Sequence, residues 1–306
     1  MTASAHATVA VLGAHGQLGA ALLAELGDAA TALPRERFDL EGLTPDRCQT
    51  LAETGATHVV NCAAYNAVDA CETDPDLAIK ANAINGAAPG TLAKWCRESG
   101  VRLVHLSTDY VFTDSAAQAR ERGEAVPTDG WTESDLAAPL GVYASSKFVG
   151  ETLALEQDAI AIRTCGLYGR GRDDANVRAR GGNFVETMLR LGSQLDEVRV
   201  VADQTCTPTA CDALAGWIAA LIRTDAPSGL YHATDADSCT WADLAEETFR
   251  LAGLSTGVVR ISTEEFGAAA PRPEYSVLDC GRLDRTLGFT REPWPRQLAR
   301  YLKTRP

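Results

Sequence analysis

Tyr143 and Lys147 stand at a spacing that can do proton chemistry. They lie four residues apart in Tyr143-Ala-Ser-Ser-Lys147, and on a helix that separation puts a phenol and an ammonium on one face. A free phenol keeps its proton up to a pKa near ~10, and a neighbouring ammonium stabilises the phenolate and lowers that value. A phenol so placed can protonate a ketone oxygen while hydride reaches the carbon. Ser107 and Thr108, in Leu106-Ser-Thr-Asp-Tyr110, close an apolar run that predicts a strand. A hydroxyl at the carboxyl end of a strand lies where open α/β sheets bind ligands, and it can steady a developing alkoxide. Both are candidates; Thr108 is the one grouped with Tyr143 and Lys147.

A second motif suits phosphate. Gly13-Ala-His-Gly16-Gln-Leu-Gly19 follows a short apolar run and opens a helical pattern. Glycine permits a tight turn and a close backbone approach to a ligand, and a helix N-terminus offers free N–H groups and a positive dipole end to a pyrophosphate. The acidic residue that usually binds the ribose 2′-OH of NAD is missing after the second strand, where Leu33-Pro-Arg35-Glu-Arg37 stands. Arg35 is placed to fork onto a 2′-phosphate, so NADPH is favoured over NADH.

These residues need a scaffold that brings them to one edge. Strands are expected over residues 8–12, 29–33, 57–62, 101–106 and 230–233, and helices over 20–26, 75–99, 184–191, 212–222 and 241–251. Alternation at this spacing implies right-handed βαβ units in a doubly wound, Rossmann-type parallel sheet. Residues 1–168 are expected to form the nucleotide-binding domain, with segments near 203–233 returning to it, and 169–306 mainly a smaller substrate-binding lobe. Residues 113–130 and 169–182 read as loops.

Composition narrows the function further. A net charge of −13 argues against a nucleic-acid-binding role, which needs a basic face. The nine cysteines form no C-x-x-C pair and read as small buried hydrophobes in a reducing compartment. Residues 1–8 lack the apolar stretch of a signal peptide, and no run reaches membrane-spanning length, so a cytoplasmic protein without a membrane partner is expected.

With these motifs in place, the sequence resembles the dTDP-4-dehydrorhamnose reductases, a branch of the extended short-chain dehydrogenases/reductases. The resemblance rests on the G-x-x-G-x-x-G turn, Val59-Val-Asn-Cys-Ala-Ala-Tyr65, Ala67-Val-Asp69, Glu72 with Pro75, and Asn82. It continues through Ser107-Thr-Asp-Tyr-Val-Phe112, Tyr143 with Lys147, Arg163-Thr164, Gly182-Asn-Phe184, Asp203-Gln204, Thr207-Pro-Thr209, Gly229-Leu-Tyr-His232, and Arg272-Pro273 with Ser276.

The resemblance implies NADPH-dependent reduction of the C4 ketone of dTDP-4-dehydro-6-deoxy-L-mannose to dTDP-L-rhamnose. It implies that Gly13, Gly16, Gln17, Leu18 and Gly19 meet the cofactor pyrophosphate and that Asp39 and Leu40 border the adenine. Ala63, Ala64, Tyr65, Asn66 and Asn82 would line the ribose side. Thr108, Tyr143 and Lys147 would be the catalytic set, Val68 and Asp109 would touch the sugar, and Asn183 and Arg272 its diphosphate. Some members form homodimers and some hold Mg²⁺ at the subunit contact; no metal ligands are assigned in this sequence.

The sequence also departs from the family. Gly166, in Arg163-Thr-Cys-Gly166, replaces a tryptophan that packs on the sugar; Gly141 replaces a common asparagine; residues 113–130 are longer than usual. The arginines at 170, 172, 178 and 180 could order over substrate phosphates. The alternatives are reduction of another dTDP-deoxysugar, action on a non-sugar ketone, and an NADP-binding regulatory subunit without turnover.

Overall fold

The computed structural model describes residues 7–171 and 182–305. Its centre is a sheet of six strands: β1 (Val9–Leu12), β2 (Ala30–Leu33), β3 (His58–Asn61), β4 (Arg102–Thr108), β5 (Ile160–Thr164) and a sixth, Gly229–His232. The order is sixth-β5-β4-β3-β1-β2, and every pairing is parallel. Strands this apolar suit a sheet covered on both faces: Val9 and Val11 of β1 pack into one core, Ala10 and Leu12 into the other. The chain reverses direction across the sheet between β1 and β3, the crevice where such folds bind ligands outside the carboxyl ends of the strands.

On one face, α1 (Gln17–Leu26) packs beside the helix Cys211–Arg223. The other face is covered by a continuous helical run, Pro75–Ala81, a π turn at Asn82–Ala87, and Ala88–Glu98. The helix Val142–Leu155 lies against that run. Their contact is close because glycines face it. A Cβ on Gly150 would overlap the backbone oxygen of Asn85, and one on Gly90 would come within 2.9 Å of Leu153.

The later part of the chain adds the helices Phe184–Gly192, Trp241–Ala252 and Trp294–Lys303, and the parallel strand pair Glu197–Val201 with Gly257–Ile261. Two smaller cores form there, around Tyr168, Leu244 and Leu298 and around Met188, Val200 and Phe249.

The sequence reading of 113–130 as loop needs correction, because Ser115–Glu121 is a helix. Its Ala, Gln, Arg and Glu residues are good helix formers. Ala116 and Ala119, three apart, bury one side, and Arg120 reaches Glu274 at 3.0 Å. The polar surface of this short helix conceals the small-residue face that docks it.

Gly150→Ala should force the two helical elements apart and destabilise the protein by ~1–3 kcal/mol, the usual cost of overpacking. A urea-denaturation midpoint equal to wild type would mean that the contact gives way freely.

Candidate active site

The glycine turn closes over the crevice. Gly13 has φ +69°, and a Cβ there would sit 2.9 Å from the Ala63 nitrogen at the end of β3. No side chain at Gly16 caps α1, and its first turn carries no acidic residue. The N-terminal N–H groups and the positive end of the dipole therefore face the crevice without a counter-charge from this helix, a donor set that fits a pyrophosphate. Leu18 is buried in the core below, so its backbone alone faces a ligand. Gln17 is held by Asn183, whose amide donates to Gln17 Oε1 at 2.8 Å and to the Gly169 carbonyl at 3.2 Å. Asn183 also caps the helix Phe184–Gly192 by accepting from Glu186 N. The side chain expected at a substrate diphosphate is thus committed to bracing the phosphate turn.

At the same edge, β4 ends on Thr108 and the helix Val142–Leu155 presents Tyr143 and Lys147. The two strand-end hydroxyls separate cleanly. Ser107 turns away and donates to Glu151 Oε2 at 2.5 Å, whereas Thr108 accepts from Tyr110 N and donates to Asp109 Oδ1, both at 3.2 Å. Thr108 is also close enough to the Tyr143 phenol to influence its proton.

The sequence expectation for Tyr143 is corrected in one respect. Burial pushes its phenol well above the ordinary tyrosine value; Thr108 opposes that shift and the Asp109 charge adds to it. At rest Lys147 does not lower it; its Nζ donates to the Leu106 carbonyl. Burial pulls Lys147 down to about 8, with Glu151 and Cys62 pushing it back up. The phenol is therefore a proton donor at rest. Asp109 is itself buried, which raises its carboxyl, while Cys165, Ser276 and Thr108 oppose the rise by hydrogen bonding. Ser276 donates to Asp109 Oδ2 at 2.6 Å from 167 residues further along the chain. Tyr110 meets the Tyr143 ring edge-on, with centroids 5.8 Å apart.

The remaining predicted residues divide. Ala63, Ala64 and Tyr65 are half-buried after β3, beside the glycine turn, with Asn66 exposed beyond them and Val68 opening the next helix, Val68–Thr73. Asn82 does not join them: it is exposed and donates to Ala78 O in its own helix. The residue that does the positioning is Asn85, which the sequence reading missed. It is buried, accepts from Tyr65 N at 2.8 Å, and donates to Tyr65 O at 2.9 Å and to Ser146 Oγ at 3.2 Å. Helical phase was the available signal, since Asn85, Pro89, Leu92 and Cys96 repeat on one buried face.

Arg35 is exposed at the end of β2, with its guanidinium paired to Asp39 at 3.0 Å and Glu41 at 2.8 Å. Asp39 is thus an ion-pair partner of Arg35, and Leu40 is buried in the core. Arg272 forks onto Asp69 at 2.8 and 3.1 Å, and Asp69 also accepts from Ala270 N. A phosphate at Arg272 would have to share or displace Asp69. Glu72, on the same short helix as Asp69, accepts from Val142 N at the start of the helix that carries Tyr143. A Cβ at Gly141, φ +80°, would overlap that carboxylate, which accounts for glycine there. Of the arginines at 170, 172, 178 and 180, Arg170 donates to Thr304 O; the other three lie outside the described residues.

Among the described residues, no group of three or more His, Cys, Asp or Glu side chains is arranged to hold a metal ion. No helix there is long and apolar enough to cross a membrane.

A doubly wound parallel sheet, with an uncapped glycine turn at its switch point and a Tyr–Lys helix at the same edge, defines a nicotinamide-dependent oxidoreductase of the short-chain dehydrogenase/reductase type. The family model described as RmlD substrate binding domain matches residues 7–305. A dTDP-4-dehydrorhamnose reductase of Streptomyces griseus is 41% identical over 283 residues, 89% of this chain and 85% of that protein. A dTDP-4-keto-6-deoxy-D-glucose reductase of Streptomyces niveus is 36% identical over 88% of this chain and 87% of that protein. The crystal structure of the Bacillus anthracis dTDP-4-dehydrorhamnose reductase in complex with NADP superposes with a TM-score of 0.85 at 33% identity, covering 98% of this chain and 100% of that one. The chain belongs to the dTDP-4-dehydrorhamnose reductase family.

Asn85→Ala should leave both Tyr65 backbone groups without a partner and weaken NADPH binding by ~1–3 kcal/mol, read by fluorescence titration. Asn82→Ala should bind as wild type does. The reverse ranking would return the positioning role to Asn82.

Proposed function

We propose that this protein reduces the C4 ketone of a dTDP-linked 6-deoxysugar with NADPH, its substrate being dTDP-4-dehydro-L-rhamnose and its product dTDP-L-rhamnose. The observation that carries this reading is geometric: the helix Val142–Leu155 brings Tyr143 and Lys147 to the end of β4, where Thr108 stands, at the edge of the sheet that holds the Gly13 turn. In this reading residues 1–168, with segments near 203–233, carry the cofactor, and 169–306 otherwise shape the sugar side.

When bound, NADPH supplies the hydride. The N-terminus of α1 would hold its pyrophosphate, and the segment from Ala63 to Asn66, pinned by Asn85, would border the ribose. Tyr143 donates its proton to the ketone oxygen, and Thr108 turns its O–H from Asp109 to donate to the same oxygen as charge develops there. The Lys147 ammonium offsets the negative charge then left on the Tyr143 oxygen. At rest Asp109, itself held by Ser276, holds the Thr108 hydroxyl, and Val68 and Asp109 face the sugar. Arg35 would meet the 2′-phosphate by exchanging one of its carboxylate partners, Asp39 or Glu41.

A second reading, a reductase of a different dTDP-deoxysugar, is favoured by one feature. Gly166 stands at the carboxyl end of β5 with φ +52°, and a Cβ there would lie 3.2 Å from Pro208 Cα and 3.4 Å from the tip of the Trp241 indole. Gly166 is thus packed against residues from distant parts of the chain, and a large side chain there would have to move Pro208 or Trp241.

NADPH oxidation at 340 nm with dTDP-4-dehydro-6-deoxyglucose, with and without a 3,5-epimerase, separates the two. Consumption that requires the epimerase establishes the rhamnose reaction; consumption without it selects the second reading; none in either case overturns both. Tyr143→Phe should lower kcat by ~10²–10⁴ with NADPH binding retained, and unchanged turnover would remove Tyr143 from the chemistry. Arg35→Ala should weaken NADPH more than NADH, whereas equal losses would mean that Arg35 does not read the 2′-phosphate.

A further inference from the structure

One buried ionic group lies directly behind Lys147. Glu151, one helical turn further on, is 1% exposed, and Arg163 of β5 is 3% exposed. Arg163 Nε donates to Glu151 Oε2 at 2.9 Å and Nη2 to Oε1 at 2.6 Å, while Ser107 Oγ donates to Oε2 at 2.5 Å. The guanidinium is boxed in by the Phe112 ring, 5.1 Å from its centre, and by His232 Nε2 at 3.4 Å from Nη1. His232 Nδ1 is paired with the Trp131 carbonyl at 2.9 Å, which fixes Nδ1 as the donor and leaves Nε2 an acceptor towards Arg163. Burial, and then the Arg163 charge, push this imidazole down to about 3, so it carries no charge near neutrality.

An ion pair this deep is a poor source of stability compared with apolar packing. Its location gives it another use. The i,i+4 spacing places the carboxylate on the Lys147 face of the helix. The other groups that face Lys147 are Cys62 after β3, His105 on β4 and Tyr143 on its own helix. Burial holds the Cys62 thiol up to about 12 and pushes His105 far down, so both are neutral near pH 7, and the Tyr143 phenol keeps its proton. Among the described residues, that leaves Glu151 as the charge that favours the ammonium.

We propose that Glu151 is a positioning residue for the reductase chemistry: clamped in one rotamer by Arg163 and Ser107, its carboxylate keeps Lys147 charged and turned towards the active-site edge. The inference rests on the reading of Lys147 as an active-site cation given above. It predicts that Ser107 serves the carboxylate and not the substrate. It also predicts that the charge of residue 151, beyond its shape, sets the upper pH limit of catalysis.

The protein has four lysines, Lys80, Lys94, Lys147 and Lys303, so ε-¹³C-lysine NMR can follow Lys147 alone, with Lys147→Arg identifying its signal. Full-length wild type should titrate near 8. Glu151→Gln should move that midpoint down by about one unit, a tenfold change in the amine-to-ammonium ratio. The alkaline limb of the kcat–pH profile should move with it, so that activity is lost at lower pH, and Glu151→Asp should restore part of the shift. An unmoved midpoint in folded Glu151→Gln overturns the proposal. If that variant does not fold, a wild-type midpoint below about 6.5 overturns it, because the carboxylate would then not be holding the charge. A midpoint that moves while the kcat profile stays put would sink the reading of Lys147, and this inference with it, while leaving the Glu151–Lys147 coupling measured.

Discussion

A carboxylate sealed from water must have its hydrogen bonds supplied by the protein, and the Glu151 carboxylate fixes the geometry on which the rest depends. Its three hydrogen bonds come from two residues, Ser107 of β4 and Arg163 of β5, and Arg163 leads on to His232 of the sixth strand. Breaking such a pair by removing one member costs ~3–5 kcal/mol, because the other charge is left stranded. The helix Val142–Leu155 therefore has one rotation and one height relative to the strand ends. With Glu151 locked inward, Lys147 one turn earlier faces the end of β4, and Tyr143 one turn before that reaches Thr108. The catalytic spacing sets which side chains share a face; the buried pair decides what that face looks at.

The same helix is held at its start by a charge of a different kind. Glu72 occupies the position of an N-terminal cap, where a carboxylate is favoured by the free N–H groups and the dipole. The short helix that carries Glu72 also carries Asp69, which forks onto Arg272 and takes the Ala270 N–H. A single turn of helix thus ties the Tyr143 end of the catalytic helix to the segment that carries Ser276, and Ser276 in turn holds Asp109. Movement of the 270–276 segment would be felt at Thr108 through two routes. This gives the site a physical reason to depend on parts of the chain far from the sheet.

Five of the six central strands were legible because both sheet faces are buried, whereas β5, the strand pair Glu197–Val201 with Gly257–Ile261 and the helix Trp294–Lys303 were not read. β1, β3 and β4 read as apolar runs, and the helix Cys211–Arg223 as a 3.6-residue repeat. The helix at Ser115–Glu121 was not, since seven residues with two buried alanines give too little period to detect. At the site, Tyr143, Lys147 and the glycine turn were legible because their chemistry depends on short spacings along the chain. Asn85, Ser276 and Glu72 were not recognised as positioning residues, although two of them belong to the family pattern. What they do is defined by contacts across 20, 167 and 70 residues, and no local pattern encodes such a partner. Asn82 misled for the opposite reason, having the right residue type on the wrong helical phase.

The two burial effects at the centre pull in opposite directions. Desolvation disfavours charge on any group, so it raises Tyr143 and lowers Lys147 together. A site built from the phenol and the lysine alone would drift towards a neutral pair, with the proton held tightly on tyrosine and an uncharged amine beside it. That arrangement gives a donor but nothing to receive the charge left behind when the proton departs. Glu151 acts on one member of the pair, favouring the ammonium without bonding to the phenol, and Thr108 acts on the other, opposing the rise of the phenol. The low-dielectric interior that makes each group costly to ionise also makes these two corrections effective over short distances. The buried polar network beneath the strand ends is thus what lets this edge of the sheet hold a proton donor and a counter-charge side by side.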